Sequence, residues 1–168
     1  MKTFFKIMMF FSLLFTATAC SNSDEPVIEN MPIEATYANV AGTWELTSWN
    51  DAPLAEGLYC YLEFNRKDRT FVIYDNMNSM VAHKQTGSFT IAKDPKNEKI
   101  DLISGRYDYD GGKWSNVYQL VVFENQMNWT VQGDLSDVSI YERCNEIPAE
   151  VLNGTSRTIA ASELKRFL

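Results

Sequence analysis

The chain has 168 residues, 45% of them hydrophobic and 13% aromatic, with 15 Lys and Arg against 22 Asp and Glu, a formal charge of −7. That length is enough for one domain with a buried core. The acidic balance lacks the basic stripe that a nucleic-acid binder needs to release counterions, so nucleic acid is not expected as a partner.

The first twenty residues read "MKTFFKIMMFFSLLFTATAC". Lys2 and Lys6 make a short basic region, an apolar run follows from Ile7 to Phe15, and small residues Ala17, Thr18 and Ala19 precede Cys20. Residues 1–19 read as a secretory signal peptide, too short and wrongly flanked for a membrane span. The Ala-Thr-Ala-Cys step resembles a bacterial lipobox, with Ala17 where that motif usually carries Leu. The resemblance implies that Cys20 becomes the lipidated N-terminus; the alternative is an ordinary signal peptide cut after Ala19, leaving a free thiol. Each acyl methylene buried contributes roughly 0.8 kcal/mol, so several chains anchor a protein durably.

Removing residues 1–19 takes away Lys2 and Lys6 but no acid, leaving 13 basic and 22 acidic side chains and a formal charge of −9. Residues 20–40 then read as a polar, acidic tether holding the domain off the bilayer. Asp24 and Glu25 resemble the acidic signals that send some Gram-negative lipoproteins to the outer surface, or are simply part of a solvated linker. The expected location is the bacterial outer membrane, periplasmic or surface-exposed, with the lipid as the membrane contact.

From Gly42 to Asn145, apolar and polar positions alternate between turn signals spaced about 8–12 residues apart, a pattern of an all-β sandwich or barrel. Strands are expected at 43–49, 58–65, 69–75, 79–84, 86–92, 98–104, 106–110, 115–123, 126–132 and 137–144. Alternation puts Trp44, Leu46 and Ser48 on one face, and Cys60, Leu62 and Phe64 on the inner face of the next strand. "VYQLVVF" (117–123) is apolar on both faces and asks for an outer cover. The tail could supply it. Pro148 suits a first helical turn and Gly154 a stop, and Ile159, Leu164 and Phe167 make a loose helical stripe, so one or two short C-terminal helices are expected.

Gly42-x-Trp44 in the first strand and Arg143 in the closing "SIYERC" resemble the lipocalin-like, or calycin, pattern. The "YLEFNRKDRTFVIY" hairpin is similar to those of bacterial surface lipoproteins of that kind. The resemblance implies a small antiparallel up-and-down β-barrel of about 8–10 strands over 41–145, followed by a helical tail over 146–168. It implies that Trp44 closes the barrel base with Arg143 against it, a cation–π contact worth about 0.5–2 kcal/mol. It also implies a small apolar or amphipathic ligand.

Other candidates are weaker. Cys60 and Cys144 remain after lipidation in an oxidising compartment, and form either a disulfide or two separate thiols. His83, the sole histidine, has no ligand-spaced companion, so no metal site is expected. No nucleophile elbow appears, and Glu63, Asp75, Asp101, Asp108, Asp110 and Glu142 read as solvated carboxylates rather than a facing glycosidase pair. No catalytic residue and no cofactor are expected. Aromatic rings are the informative excess. Tyr107, Tyr109 and Trp114, flanking Gly111 and Gly112, are expected as an exposed patch, and Trp129 joins them as a candidate ligand or partner contact. The second function considered is therefore a surface module docking a protein or glycan through these loops.

Overall fold

The structure is a computed structural model that describes residues 30–78, 81–109, 111–154 and Leu168. The expected signal peptide, Cys20 and the first part of the tether, to residue 29, lie outside the described residues, as does the second stretch expected to be helical. Period-two alternation builds the walls. In β1 (Gly42–Trp49), Trp44 and Leu46 are buried while their neighbours are half-covered. In β3 (Cys60–Asn65), Cys60, Leu62 and Phe64 face the same interior, as the alternation predicts. A two-residue strand, β2 (Ala52–Pro53), lies between them in sequence.

The chain continues as β4 (Thr70–Asp75), β5 (His83–Asp94), β6 (Asn97–Tyr107), β7 (Tyr118–Val122), β8 (Gln126–Val131) and β9 (Asp134–Cys144). Successive strands from β3 to β9 pair antiparallel, and β1 pairs with β3 on one side and β9 on the other. The result is a closed eight-stranded barrel, with β2 paired to the end of β1. Closure leaves the ring without an open edge. The β1–β9 register shifts between Leu46 and Ser48, a bulge of the kind that bends a strand around a barrel.

Three expectations are corrected. The strands expected at 79–84 and 86–92 are not separated where they are described: β5 runs unbroken from His83 to Asp94. The strands expected at 98–104 and 106–110 likewise share one strand, β6, which runs through Gly105 and ends at Tyr107. A Cβ on Gly105 would lie 2.7 Å from the Trp114 Nε1, so this glycine makes room for an indole and does not turn the chain. The outer cover is also displaced. Helix α2 (Ala149–Gly154) packs Val151 against Tyr61 and Tyr74, on the outside of β3 and β4 and not on β7.

The stretch before the barrel is not simply a tether. Ile33 bridges to Val122, its N–H donating to the Val122 carbonyl at 2.7 Å. Thr36 caps helix α1 (Tyr37–Val40), its hydroxyl accepting from the Asn39 N–H at 3.2 Å. Tyr37 leans on Phe89, and Val40 is buried. Among the described residues no helix is long and apolar enough to cross a membrane.

Candidate functional site

The two ends of the barrel differ. At one end Trp44 is fully buried and stands opposite Arg143 in the β1–β9 ladder. The Arg143 guanidinium carbon sits 4.0 Å from the Trp44 ring centroid. Its nitrogens donate to the carbonyls of Ala41 (2.9 Å), Asn39 (2.9 Å) and Glu124 (3.2 Å). The Trp44 Nε1 donates to the Val40 carbonyl at 2.8 Å. One side chain thus ties α1, the start of β1 and the β7–β8 turn together over the indole. Gly42 fits this arrangement: its φ is +111°, and a Cβ there would lie 2.8 Å from Arg143 Nη1. This end is sealed.

The opposite end is formed by the β1–β3, β4–β5, β6–β7 and β8–β9 connections. Trp49, Pro53, Leu54, Leu58 and Met77 line an open cleft of about 390 Å³ there. Leu54 and Met77 also pack on the barrel core, so the cleft abuts the interior. Trp49 is partly exposed, its Nε1 donating to Asp137 Oδ1 at 2.8 Å. An apolar depression with an amphipathic ring at its rim suits a small ligand. Sequence reading missed Leu54, Leu58 and Met77. The signal was available: two leucines four apart in "PLAEGL", a stretch otherwise made of turn residues.

Sealed floor and open apolar mouth are the plan of one kind of barrel, and the sequence agrees. The profile of the lipocalin-like domain matches residues 40–129, from the end of α1 into β8. The chain belongs to the lipocalin-like domain family. No curated protein matches the chain. Domains of this family are typically non-catalytic. Among the described residues, no group of three or more His, Cys, Asp and Glu side chains could hold a metal ion.

The interior of this lipocalin-like domain is largely aromatic. Trp129 is fully buried at its centre, with ring centroids of Tyr141 at 4.9 Å, Tyr118 at 5.2 Å, Trp114 at 5.6 Å and Phe64 at 6.1 Å. The Nε1 donors of Trp114 and Trp129 are buried without a hydrogen-bond partner among the described residues. Leaving such a donor unpaired costs about 1–3 kcal/mol.

The expected exposed patch is therefore corrected. Tyr107 and Trp114 are buried, Tyr109 packs half-buried against the core, and Tyr107 stacks on Tyr109 at 5.4 Å. The chain does reverse at the glycines, the Tyr107 N–H donating to the Gly112 carbonyl at 2.8 Å. Alternation then carries these rings inward, because β6 continues through Gly105 to Tyr107.

Cys60 and Cys144 are free, the second of the two arrangements left open by the sequence. Cys60 belongs to the interior core, whereas Cys144 packs on the outer face with Tyr59, Val72 and Ile147. Cys144 also pairs with Thr43, which pairs in turn with Glu63, three residues along β3 from Cys60. A wall and two strand spacings separate the sulfurs, beyond the reach of a disulfide. Burial pushes the Cys60 thiol pKa well up.

The expected surface carboxylates divide. Asp75 is buried, its Oδ1 accepting from the Met77 N–H at 3.2 Å, with no partner for Oδ2 among the described residues. Burial raises its pKa to about 6, against the pull of the Met77 N–H and of His83, its buried neighbour on β5. Asp101 pairs with Lys93 at 2.8 Å, and Asp108 accepts from the Thr86 hydroxyl at 2.7 Å. Glu63 and Glu142 point outward, and Asp110 lies outside the described residues.

Proposed function

We propose that this chain is a lipid-anchored lipocalin-like protein that takes up a small apolar or amphipathic molecule at the bacterial outer membrane, entering at the open end of the barrel. The observation that carries this reading is the asymmetry of the two ends: a floor closed by Trp44 and Arg143, and a mouth with an apolar cleft of about 390 Å³. The lipobox-like step at Cys20 supports the anchor. The docking-module reading loses its basis, because two of the three rings it relied on are buried.

Titration with the fluorescent apolar probe N-phenyl-1-naphthylamine tests the cleft. Saturable binding is expected, weakened about five-fold in Leu54→Ser, roughly the 1 kcal/mol of a partly buried aliphatic side chain. A non-saturable signal, unchanged by Leu54→Ser and Met77→Ser, would refute uptake at the mouth. Labelling with radioactive palmitate in a bacterial host tests the anchor separately: label is expected in the unaltered chain and absent in Cys20→Ser.

A further inference from the structure

The ladder between β6 and β7 is short: it spans three residue pairs and ends at Ile103 and Tyr118. Past that point β6 runs on to Tyr107 and meets the connection to β7 at the isolated Arg106–Lys113 bridge. The wall is completed from within by the buried Trp114 indole, which lies against Gly105 and whose backbone N–H donates to the Gly105 carbonyl at 2.9 Å. Outside this seam is a cleft of about 240 Å³, with Gly105 and Trp114 in its wall. No residue lines both this cleft and the apolar one at the mouth.

Alternation sets the chemistry here. Ser88 stands opposite Arg106 and Thr90 opposite Ser104, so all four side chains leave the β5–β6 ladder on its outer face. Lys113 meets Arg106 from the other side. All five line the cleft together with Asn116, so its polar lining holds two cations, three hydroxyls and an amide, and no carboxylate. Like charges directly opposite one another on paired strands destabilise the pairing, and an anion between them reverses that sign. Among the described residues neither Arg106 nor Lys113 has an ion-pair partner. Asp108, the next outward position along β6, is engaged by the Thr86 hydroxyl at 2.7 Å and does not line the cleft. One Arg106 nitrogen, Nη2, donates to the Gly111 carbonyl at 2.7 Å, which holds the guanidinium in place. In a chain of formal charge −7, two facing cations are not a by-product of basic composition.

We propose that this cleft binds a phosphate or sulfate monoester of a hydroxyl-rich molecule, the chemistry of a charged sugar. Arg106 and Lys113 take the ester oxygens, the planar fork of Arg106 suiting a tetrahedral oxyanion. At about 240 Å³, against the ~30 Å³ share of one water molecule, the cleft has room for more than the anion. Ser88, Thr90, Ser104 and Asn116 then meet the carrier, since hydroxyls and an amide both donate to and accept from its hydroxyl groups. This site goes beyond the apolar uptake at the mouth and lies apart from it.

Glucose 6-phosphate is the probe, with glucose as the neutral control and inorganic phosphate as the bare anion. Followed by 15N–1H correlation spectra, the probe is expected to move the amides of Ser88, Ser104 and Lys113 saturably, while glucose at the same concentration leaves them in place. Lys113→Gln removes one exposed charge without touching the core, and is expected to weaken binding about five-fold; Arg106→Gln, which also removes the fork, about ten-fold. Lys67→Gln, on the exposed β3–β4 turn, is expected to change nothing. A flat titration, equal weakening by Lys113→Gln and Lys67→Gln, or glucose binding as tightly as its phosphate overturns the proposal. Inorganic phosphate binding as tightly as glucose 6-phosphate overturns the hydroxyl-rich carrier. N-phenyl-1-naphthylamine is expected to bind Lys113→Gln as it binds the unaltered chain, so failure of this site and failure of the mouth are read separately.

Discussion

Two residues show how much a single position can hold. Gly42 combines a left-handed φ with a close approach to Arg143 Nη1. Gly42→Ala is expected to cost about 1–3 kcal/mol in urea unfolding, mostly from the φ that a side chain resists. Removing Arg143 as well relieves the contact but not the φ, so the double variant should lose less than the two single changes together. Strict additivity would show that the guanidinium does not need the space. Asp75 acts through pH. Its folded pKa, about 6, lies above the unfolded value near 3.8, so the folded state binds its proton more tightly. The associated stability is complete below about pH 4 and is lost as pH rises through about 6. Asp75→Asn should therefore stabilise the fold at pH 7.5 by about 2–3 kcal/mol and do little at pH 4. Denaturant melts at the two pH values check this, and an equal effect at both would refute it.

At the scale of elements, the strands with clean alternation were legible. The expected 43–49 and 69–75 differ by one residue from β1 and β4, and Trp44, Leu46, Cys60, Leu62 and Phe64 face the core as parity assigned them, whereas Ser48, past the β1 bulge, does not join it. The sequence misled where a residue's usual local meaning was overridden by packing. Gly105 looks like a break but lies mid-strand beneath the Trp114 indole, and the rings on either side of the Gly111–Gly112 reversal look like a display but turn inward. Leu168, buried in the core, carries no local signal at all, because its place depends on a contact with Tyr107, 61 positions away. Helix α2 was expected from Pro148 and Gly154, but its docking site was not, since Tyr61 and Tyr74 share a face only once β3 and β4 pair. Its attachment through Val151 is small. Val151→Asp should release α2 at a cost of about 1–2 kcal/mol. Hydrogen exchange should then lose protection at 149–154 while the β3–β4 ladder keeps its own; loss of both would mean that the helix supports the barrel wall.

For the whole molecule, closure decides the rest. Arg143 covers the buried Trp44 and binds three carbonyls from two segments, a geometry that a planar fork of donors suits and an ammonium does not. Arg143→Lys keeps the charge yet should destabilise by about 2 kcal/mol. It should also shift Trp44 fluorescence to the red as water reaches the ring. Unchanged stability would leave the floor to the indole alone. The family profile stops at residue 129, yet the strand that completes the ring is β9, from Asp134 to Cys144. A fragment cut at that limit would keep the indole and lose its lid, leaving β1 and the truncated end of the ribbon with bare backbone donors and acceptors. Such a piece would not be a smaller version of this protein: it would be a sticky sheet, searching other molecules for the strand it lacks.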